Sequence, residues 1–414
     1  MMTQAKELTY SYRWVIIGVL FTAYIVIFMH RLGIGPLAPF IKEQLDLTYV
    51  QVGSLMSAAS FGYALSIIPA GWAVDRIGIR RLLLIGELVG GIFMLGMFFA
   101  SSYEAALVIM VMSGIGCGCL MPVTTKGVIV WFPIKERATA MGLKQTGINI
   151  GGIITAAVLP GVALTLGWRF GFLFLGILAI IIGIVSSILY KDPPSPAKLK
   201  SKDSTTNIDV AEGTAGQSLS MLFKTRDIWV VSLAGLTFAI AEFAVIAHLV
   251  IYLTEEWAFS AVTAGMILAM FQAGGIPGKL GAGLLSDRLF GGSRRNILVL
   301  LGGGASAMCI IIPILGTSLS WALYPIILIL GVTAFGWGGV LLTLVAELAG
   351  KELAGTATGA AGVVITLGAT LGPILFGYLI DSSGSYQLAW FSIAVCSALG
   401  AIALLAVREE RRRI

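Results

Sequence analysis

Long apolar runs alternate with short polar interruptions along almost the whole chain. Runs long enough to cross a bilayer, about 20 residues each, lie at 14–40, 49–74, 80–100, 104–131, 137–166, 168–190, 228–254, 261–286, 296–316, 321–346, 353–379 and 386–406. Twelve membrane-spanning helices are therefore predicted. One polar stretch is long: 191–227, where Pro193, Pro194 and Pro196 precede a run rich in Ser, Thr, Asp and Lys. It holds too little apolar surface to fold alone, and Leu219 to Phe223 suit an interfacial position. It reads as a linker between two halves, 1–190 and 228–414.

The halves repeat each other. Gly71, Asp75, Arg76, Gly78, Arg80 and Arg81 stand where one span ends and the next begins. About 212 positions later Gly283, Asp287, Arg288, Gly291, Arg294 and Arg295 do the same. A glycine there allows two helices to approach, and an aspartate near a helix end has arginines to pair with. A second echo sets Lys135-Glu136-Arg137-Ala138 and Gly142 against Lys351-Glu352-Leu353-Ala354 and Gly359. The duplicated G-x-x-x-D-R loop resembles the cytoplasmic signature of the major facilitator superfamily, and the resemblance covers the whole chain. It implies an all-α membrane protein of two six-helix bundles, related along the membrane normal, that works by alternating access. Asp75, Arg76, Asp287 and Arg288 are then expected to form the cytoplasmic gate, the two aspartates holding the outward-open state.

Composition agrees: 57% of residues are hydrophobic and 12% charged, about half the charged share of a soluble domain. With the N-terminus inside, 21 of the 27 Lys and Arg fall on the cytoplasmic side, and only Lys42 and Arg169 fall outside. The net charge of +6 thus reflects topology in a cell inner membrane with both termini cytoplasmic, not a nucleic-acid footprint, and the Arg411 to Arg413 tail suits anionic lipid. The first apolar run is too long for a cleaved signal and carries Arg31, so an uncleaved anchor is expected. Cys117, Cys119, Cys309 and Cys396 all fall in spans, which favours packing over disulfides or zinc. There is no N-x-S/T sequon and no nucleotide-binding loop. No enzyme activity, cofactor or metal is expected, and a monomer is.

Charges inside a span are expensive and mark function. Arg31 lies in helix 1, about 13 Å short of its outer end. In organic-anion carriers of the superfamily, which Ala38-Pro39-Phe40-Ile41-Lys42-Glu43 and Trp131-Phe132-Pro133 also resemble, an acid followed by Arg stands here and the Arg holds a carboxylate. His30 replaces that acid, and Cys117 stands where the branch often has a helix-4 glutamate. Lys279 of helix 8 occupies the place of an Arg in monocarboxylate-type carriers; the alternative for it is a structural ion pair with Glu347 or another acid near the cytoplasmic side. Gln272 shares its face, and Gly274, Gly275, Pro277 and Gly278 between them leave room for a ligand.

Gln145 and Asn149 share one face of helix 5 and could hold carboxylate or hydroxyl oxygens. Gly147 and Gly151 give the opposite face a G-x-x-x-G for packing. Tyr24, on the Arg31 face of helix 1, and Trp337 of helix 10 are aromatic candidates for the same site. Glu242, in the middle of helix 7, is a plausible proton carrier, with His30 second. His248 reads as packing, Glu87 as peripheral, and Lys126 and Lys144 as equally suited to snorkelling or substrate contact.

Together these predict a secondary transporter for a small organic anion, a monocarboxylate, coupled to protons. A drug or sugar exporter of the same fold and a non-transporting membrane sensor are the alternatives.

Overall fold

In the computed structural model, residues 2–191 and 225–408 are described. They contain twelve helices long and apolar enough to span a membrane: α1 Tyr12–Leu45, α2 Tyr49–Ile77, α3 Ile79–Phe99, α4 Tyr103–Trp131, α5 Thr139–Leu166, α6 Trp168–Leu189, α7 Arg226–Glu255, α8 Ala261–Arg288, α9 Arg294–Ile314, α10 Thr317–Gly350, α11 Leu353–Ser383 and α12 Tyr386–Leu405. The linker and the arginine tail fall largely outside the described residues.

Two helices are broken where the sequence suggested continuous runs. The first stops at Leu32, bends at Gly33 and resumes at Ile34. Pro36 supplies no N–H to the preceding turn and its ring crowds the carbonyl four residues back, while Gly33 and Gly35 tolerate the bend. Arg31 therefore sits at the last turn of the inner segment. In α10 the break falls at Gly336, ahead of Trp337. The turn between α10 and α11 is made by Gly350, whose φ of 75° is open to glycine at little cost.

Helix pairings come in matching sets. Within the first half α1 packs on α5, α2 on α4 and α3 on α6; within the second, α7 packs on α11, α8 on α10 and α9 on α12. Glycines set the closest approaches. A Cβ on Gly368 or Gly372 would strike the Leu236 or Ile240 carbonyl of α7, and one on Gly114 the Ala59 carbonyl of α2. The Gly147 and Gly151 face of α5 lies against Ile25 and Met29 of α1, the close packing expected of that motif.

The halves meet along α2 with α11, α5 with α8, and the segment of α1 after the Gly33 bend with α7. At one end this contact is tight. Gly35 rests against the Ile246 carbonyl, Gly53 against that of Pro373, and Gly377 against that of Tyr49. A polar latch overlies these contacts. Glu255 of α7 accepts hydrogen bonds from Tyr49 at 2.5 Å and Tyr386 at 2.6 Å, and pairs with Lys42 at 3.3 Å. Asp381 of α11 accepts from the backbone N–H groups of Tyr49 at 3.0 Å and Val50 at 2.8 Å, capping α2 from the other half.

At the opposite end the signature glycines Gly71 and Gly283 have no atom within 4 Å of an added Cβ. The expectation that they bring two helices together is not met in this conformation, because that end stands open. Asp75 pairs there with Lys126 of α4 at 2.6 Å, not with the signature arginines. Arg76 stacks over Trp72, 3.7 Å from its centroid. Asp287 pairs with Arg294 at 2.5 Å, which also reaches Glu347 at 3.7 Å, and Arg288 is exposed. The described ion pairs of the four gating candidates all stay within one half.

Loss of a helix cap costs about 1 kcal/mol, roughly fivefold in an equilibrium. Asp381→Ala should therefore raise the open fraction at the latched end about fivefold. In a cysteine-free background, labelling of Ser57→Cys on α2 by an impermeant maleimide reads that fraction directly. An unchanged labelling rate would show that the latch does not hold this end closed.

Candidate functional site

Between the latched and the open end, four helices bring polar groups into the apolar core. α1 supplies Arg31 through its inner segment, which the Gly33 bend ends. The guanidinium is 6% exposed and donates to Ser60 Oγ of α2 at 3.1 Å. Three rings also surround it: Tyr63 at 4.3 Å, and Phe28 and Phe243 at 5.4 Å. Among the described residues no carboxylate lies within ion-pair distance of it.

α5 and α8 interlock. Asn149 Nδ2 donates to the Gln272 carbonyl at 2.9 Å, and its Oδ1 accepts from Lys279 Nζ at 2.7 Å. Gly275 gives Asn149 its space and Gly152 does so for Gln272: in each case an added Cβ would collide with the amide side chain from the facing helix. Each helix thus carries an amide followed three residues later by a glycine, a reciprocal fit visible in the sequence once the two helices are known to touch. Gly274 and Gly278 do not leave room for a ligand as expected. They press on the Leu328 and Val332 carbonyls of α10, because small residues here serve backbone approach.

Lys279 lies 5.5 Å from the Phe335 ring and has Glu242 of α7 as its electrostatic neighbour. Glu347, one alternative partner for Lys279, meets Arg294 instead. Glu242 is buried, flanked by Lys279 and by the more weakly felt Arg31, and stands beside the Trp337 indole, whose Nε1–H falls short of a formed hydrogen bond. Trp337 itself packs on Phe238 with centroids 5.9 Å apart. Arg31, Glu242 and Lys279 therefore form one group across the two halves, closed off on the latched side.

Tyr24 links this group to α5. Its hydroxyl donates to Gln145 Oε1 at 3.1 Å, and its ring pairs with Phe28, centroids 5.1 Å apart. On that ring lies Lys144 Nζ, 4.6 Å from the centroid, hydrogen-bonded to Thr125 at 3.0 Å and Thr124 at 3.4 Å. Lys144 is 2% exposed, so it does not snorkel to an interface. Its burial could not be read from the sequence because the helix register that turns it toward α1 and α4 depends on the Gly147 and Gly151 contact. Ser60, Tyr63, Phe243 and Phe335 were missed for a simpler reason: each looks like ordinary core.

His30 is not brought to the site. It points away from Arg31, with Nε2 3.2 Å from the Leu175 carbonyl of α6 and Nδ1 3.5 Å from Cys117 Sγ. Adjacent helical residues diverge by about 100°, so only one of the two can face the halves' interface. Glu87, expected at the periphery, is fully buried against Gly183 of α6 and near Cys117, and its Oε1 lacks a hydrogen-bond partner. The α3–α6 packing that encloses it was not evident from hydropathy. His248 stacks on Phe376 at 5.2 Å and meets the Pro373 carbonyl at 2.9 Å, the packing role expected.

Comparison with known proteins agrees with this architecture. The chain is 28% identical over 95% of its length, and 93% of the relative's, to a probable sulfoacetate transporter, SauU, of Cupriavidus necator. It is 24% identical to a hexuronate transporter of Bacillus subtilis, with 92% of each chain covered. It is 26% identical to the membrane sensor protein UhpC of Escherichia coli, covering 98% of this chain and 94% of that one. Among solved structures, a bacterial homolog of the human lysosomal transporter Spinster superposes with a TM-score of 0.79 at 18% identity, covering 96% and 97% of the two chains. The model of the Major Facilitator Superfamily matches residues 20–373, and with twelve spans and paired halves the chain belongs to that family of membrane transporters.

Proposed function

We propose that this protein carries a small organic anion across a cell inner membrane by alternating access, with the cargo held between Arg31 and Lys279. The observation that carries this reading is Arg31: a guanidinium buried mid-membrane with no carboxylate in ion-pair reach. Leaving such a charge uncompensated costs several kcal/mol unless an anion arrives to meet it. Asn149, Gln272, Gln145 and Tyr24 add donors around the path, and Trp337 walls it. Relatives named for sulfoacetate, hexuronate and L-galactonate, organic anions all, support the same class. Arg31 and Lys279 suit a monocarboxylate, and Lys144 is a third buried cation nearby, over the Tyr24 ring.

The open end is the cytoplasmic one on this reading, because Lys and Arg collect there, and both termini lie on that side. The conformation is then inward-open. Asp75 and Asp287, paired within their own halves here, are poised to hold the halves together when that end closes. Glu242, between Lys279 and Arg31, is the group suited to carry a coupled proton: binding a proton removes the charge that competes with the cargo for both cations. A sensor is the second reading, favoured by the UhpC relatives. A sensor would bind the anion without moving it, whereas a carrier exchanges labelled substrate across proteoliposomes. A drug or sugar exporter would need neither Arg31 nor Lys279.

Removing one member of a charge-assisted contact costs about 1.5 to 3 kcal/mol, or roughly 10- to 150-fold in affinity. Arg31→Ala and Lys279→Ala should each weaken counterflow of an organic anion by that factor while the protein still reaches the membrane. Near-normal counterflow in both variants would end the anion reading.

Glu242→Gln fixes the neutral form of that side chain. It should abolish accumulation driven by an imposed pH gradient and leave substrate exchange, which needs no net proton movement, largely intact. Accumulation that persists in Glu242→Gln removes this residue from the coupling mechanism.

A further inference from the structure

Counting charge around the site leaves a surplus. Lys279 has Glu242 beside it. Arg31 and Lys144 have no carboxylate within ion-pair distance among the described residues; their contacts are hydroxyls and rings. Glu87 does not fill the gap, since it lies beyond His30 and Cys117 with no cation in ion-pair reach. Arg31, Lys144 and Lys279 against the one carboxylate, Glu242, leave a net surplus of two positive charges in a water-poor interior, where each is costly.

The two cations are arranged as a pair. Arg31 approaches the Phe28 ring and Lys144 the Tyr24 ring, two rings that touch each other one turn apart on α1. Arg31 stands 5.4 Å from the Phe28 centroid, Lys144 4.6 Å from the Tyr24 centroid, and the two centroids are 5.1 Å apart. Two cations joined by so short a relay of rings suit one small molecule with an anionic head at each end. What covers Lys144 is the Tyr24 ring, tethered by one 3.1 Å hydrogen bond to Gln145. Thr124 donates its hydroxyl proton to the Leu120 carbonyl at 2.8 Å, whereas Thr125, which accepts from the amine, can donate to a second head once Tyr24 swings aside.

We propose that Lys144 is a second anion-binding group and that the cargo is a short dianion, one head on Arg31 and the other on Lys144. This rests on the anion reading above and narrows it. Sugar acids with a single carboxylate, such as hexuronates, would leave Lys144 unanswered; a carboxylate–sulfonate or a short dicarboxylate would not.

The test measures affinity for four probes with purified full-length protein in proteoliposomes: sulfoacetate with two anionic groups, and acetate, methanesulfonate and galacturonate with one. The wild type should bind sulfoacetate at least 10-fold more tightly than any of the three monoanions, a comparison that needs no variant. Lys144→Met, close in volume and apolar, should lose sulfoacetate affinity by roughly 10- to 150-fold and keep monoanion affinity within about twofold, while Lys144→Arg keeps most of the preference. Arg31→Ala should weaken all four probes. Equal wild-type affinity for dianion and monoanions, or a Lys144→Met loss shared equally by all probes, overturns the dianion inference and leaves the anion reading standing. Failure of the wild type to bind any of the four overturns both.

Discussion

A charged side chain in hydrocarbon has no water to turn to, and this constraint organises the molecule. Charges near the ends find partners, as Arg13 does with Glu136 at 2.8 Å and Asp75 with Lys126. The cations in the middle are placed where the halves meet or just behind that surface, and are padded with aromatic faces and neutral acceptors. Tyr63, Phe28, Phe243, Tyr24 and Phe335 each lie near a cation. A ring face offers a cation about 0.5 to 2 kcal/mol without a competing negative charge, so it can hold the side chain in place and still leave it available to an anion.

The two ends of the structure use different physics. At the latched end, backbone approaches backbone at Gly35, Gly53 and Gly377, and carboxylates from the second half reach over to the first. At the other end the same kind of small residue faces nothing. A protein that alternates must be able to make one contact set while losing the other, and the amide interlock of Asn149 with Gln272 lies between them. Lys279 hangs on that interlock through Asn149 Oδ1, so a cation of the proposed site is tied directly to the seam between the halves.

Much of this was legible in the sequence because its causes are local. Span length, the duplicated loop, Arg31, Glu242 and Lys279 stand out against an apolar background, and the structure brings these three charges together. What was hidden depends on rotation about helix axes and on contacts between distant segments. His30 and Arg31 are neighbours in the chain, yet one faces α6 and the other α2. Lys144 looked like a side chain that could reach an interface, but its register buries it under Tyr24. Glu255, Asp381 and Tyr386 sit near loop ends where polar residues are unremarkable, and nothing in their spacing marks them as one latch. The signature aspartates were expected to pair with arginines; Asp287 does so with Arg294, while Asp75 found a lysine on α4.

The latch has a consequence outside the transport cycle itself. Glu255 and Lys42 keep 36% and 25% of their side-chain surface open to solvent. Interactions between such groups weaken as ionic strength rises, with a screening length near 8 Å at physiological salt. The glycine contacts beneath carry no net charge and do not share that dependence. The balance between the latched state and an unlatched one should therefore drift with the salinity of the fluid bathing that end, before any substrate binds.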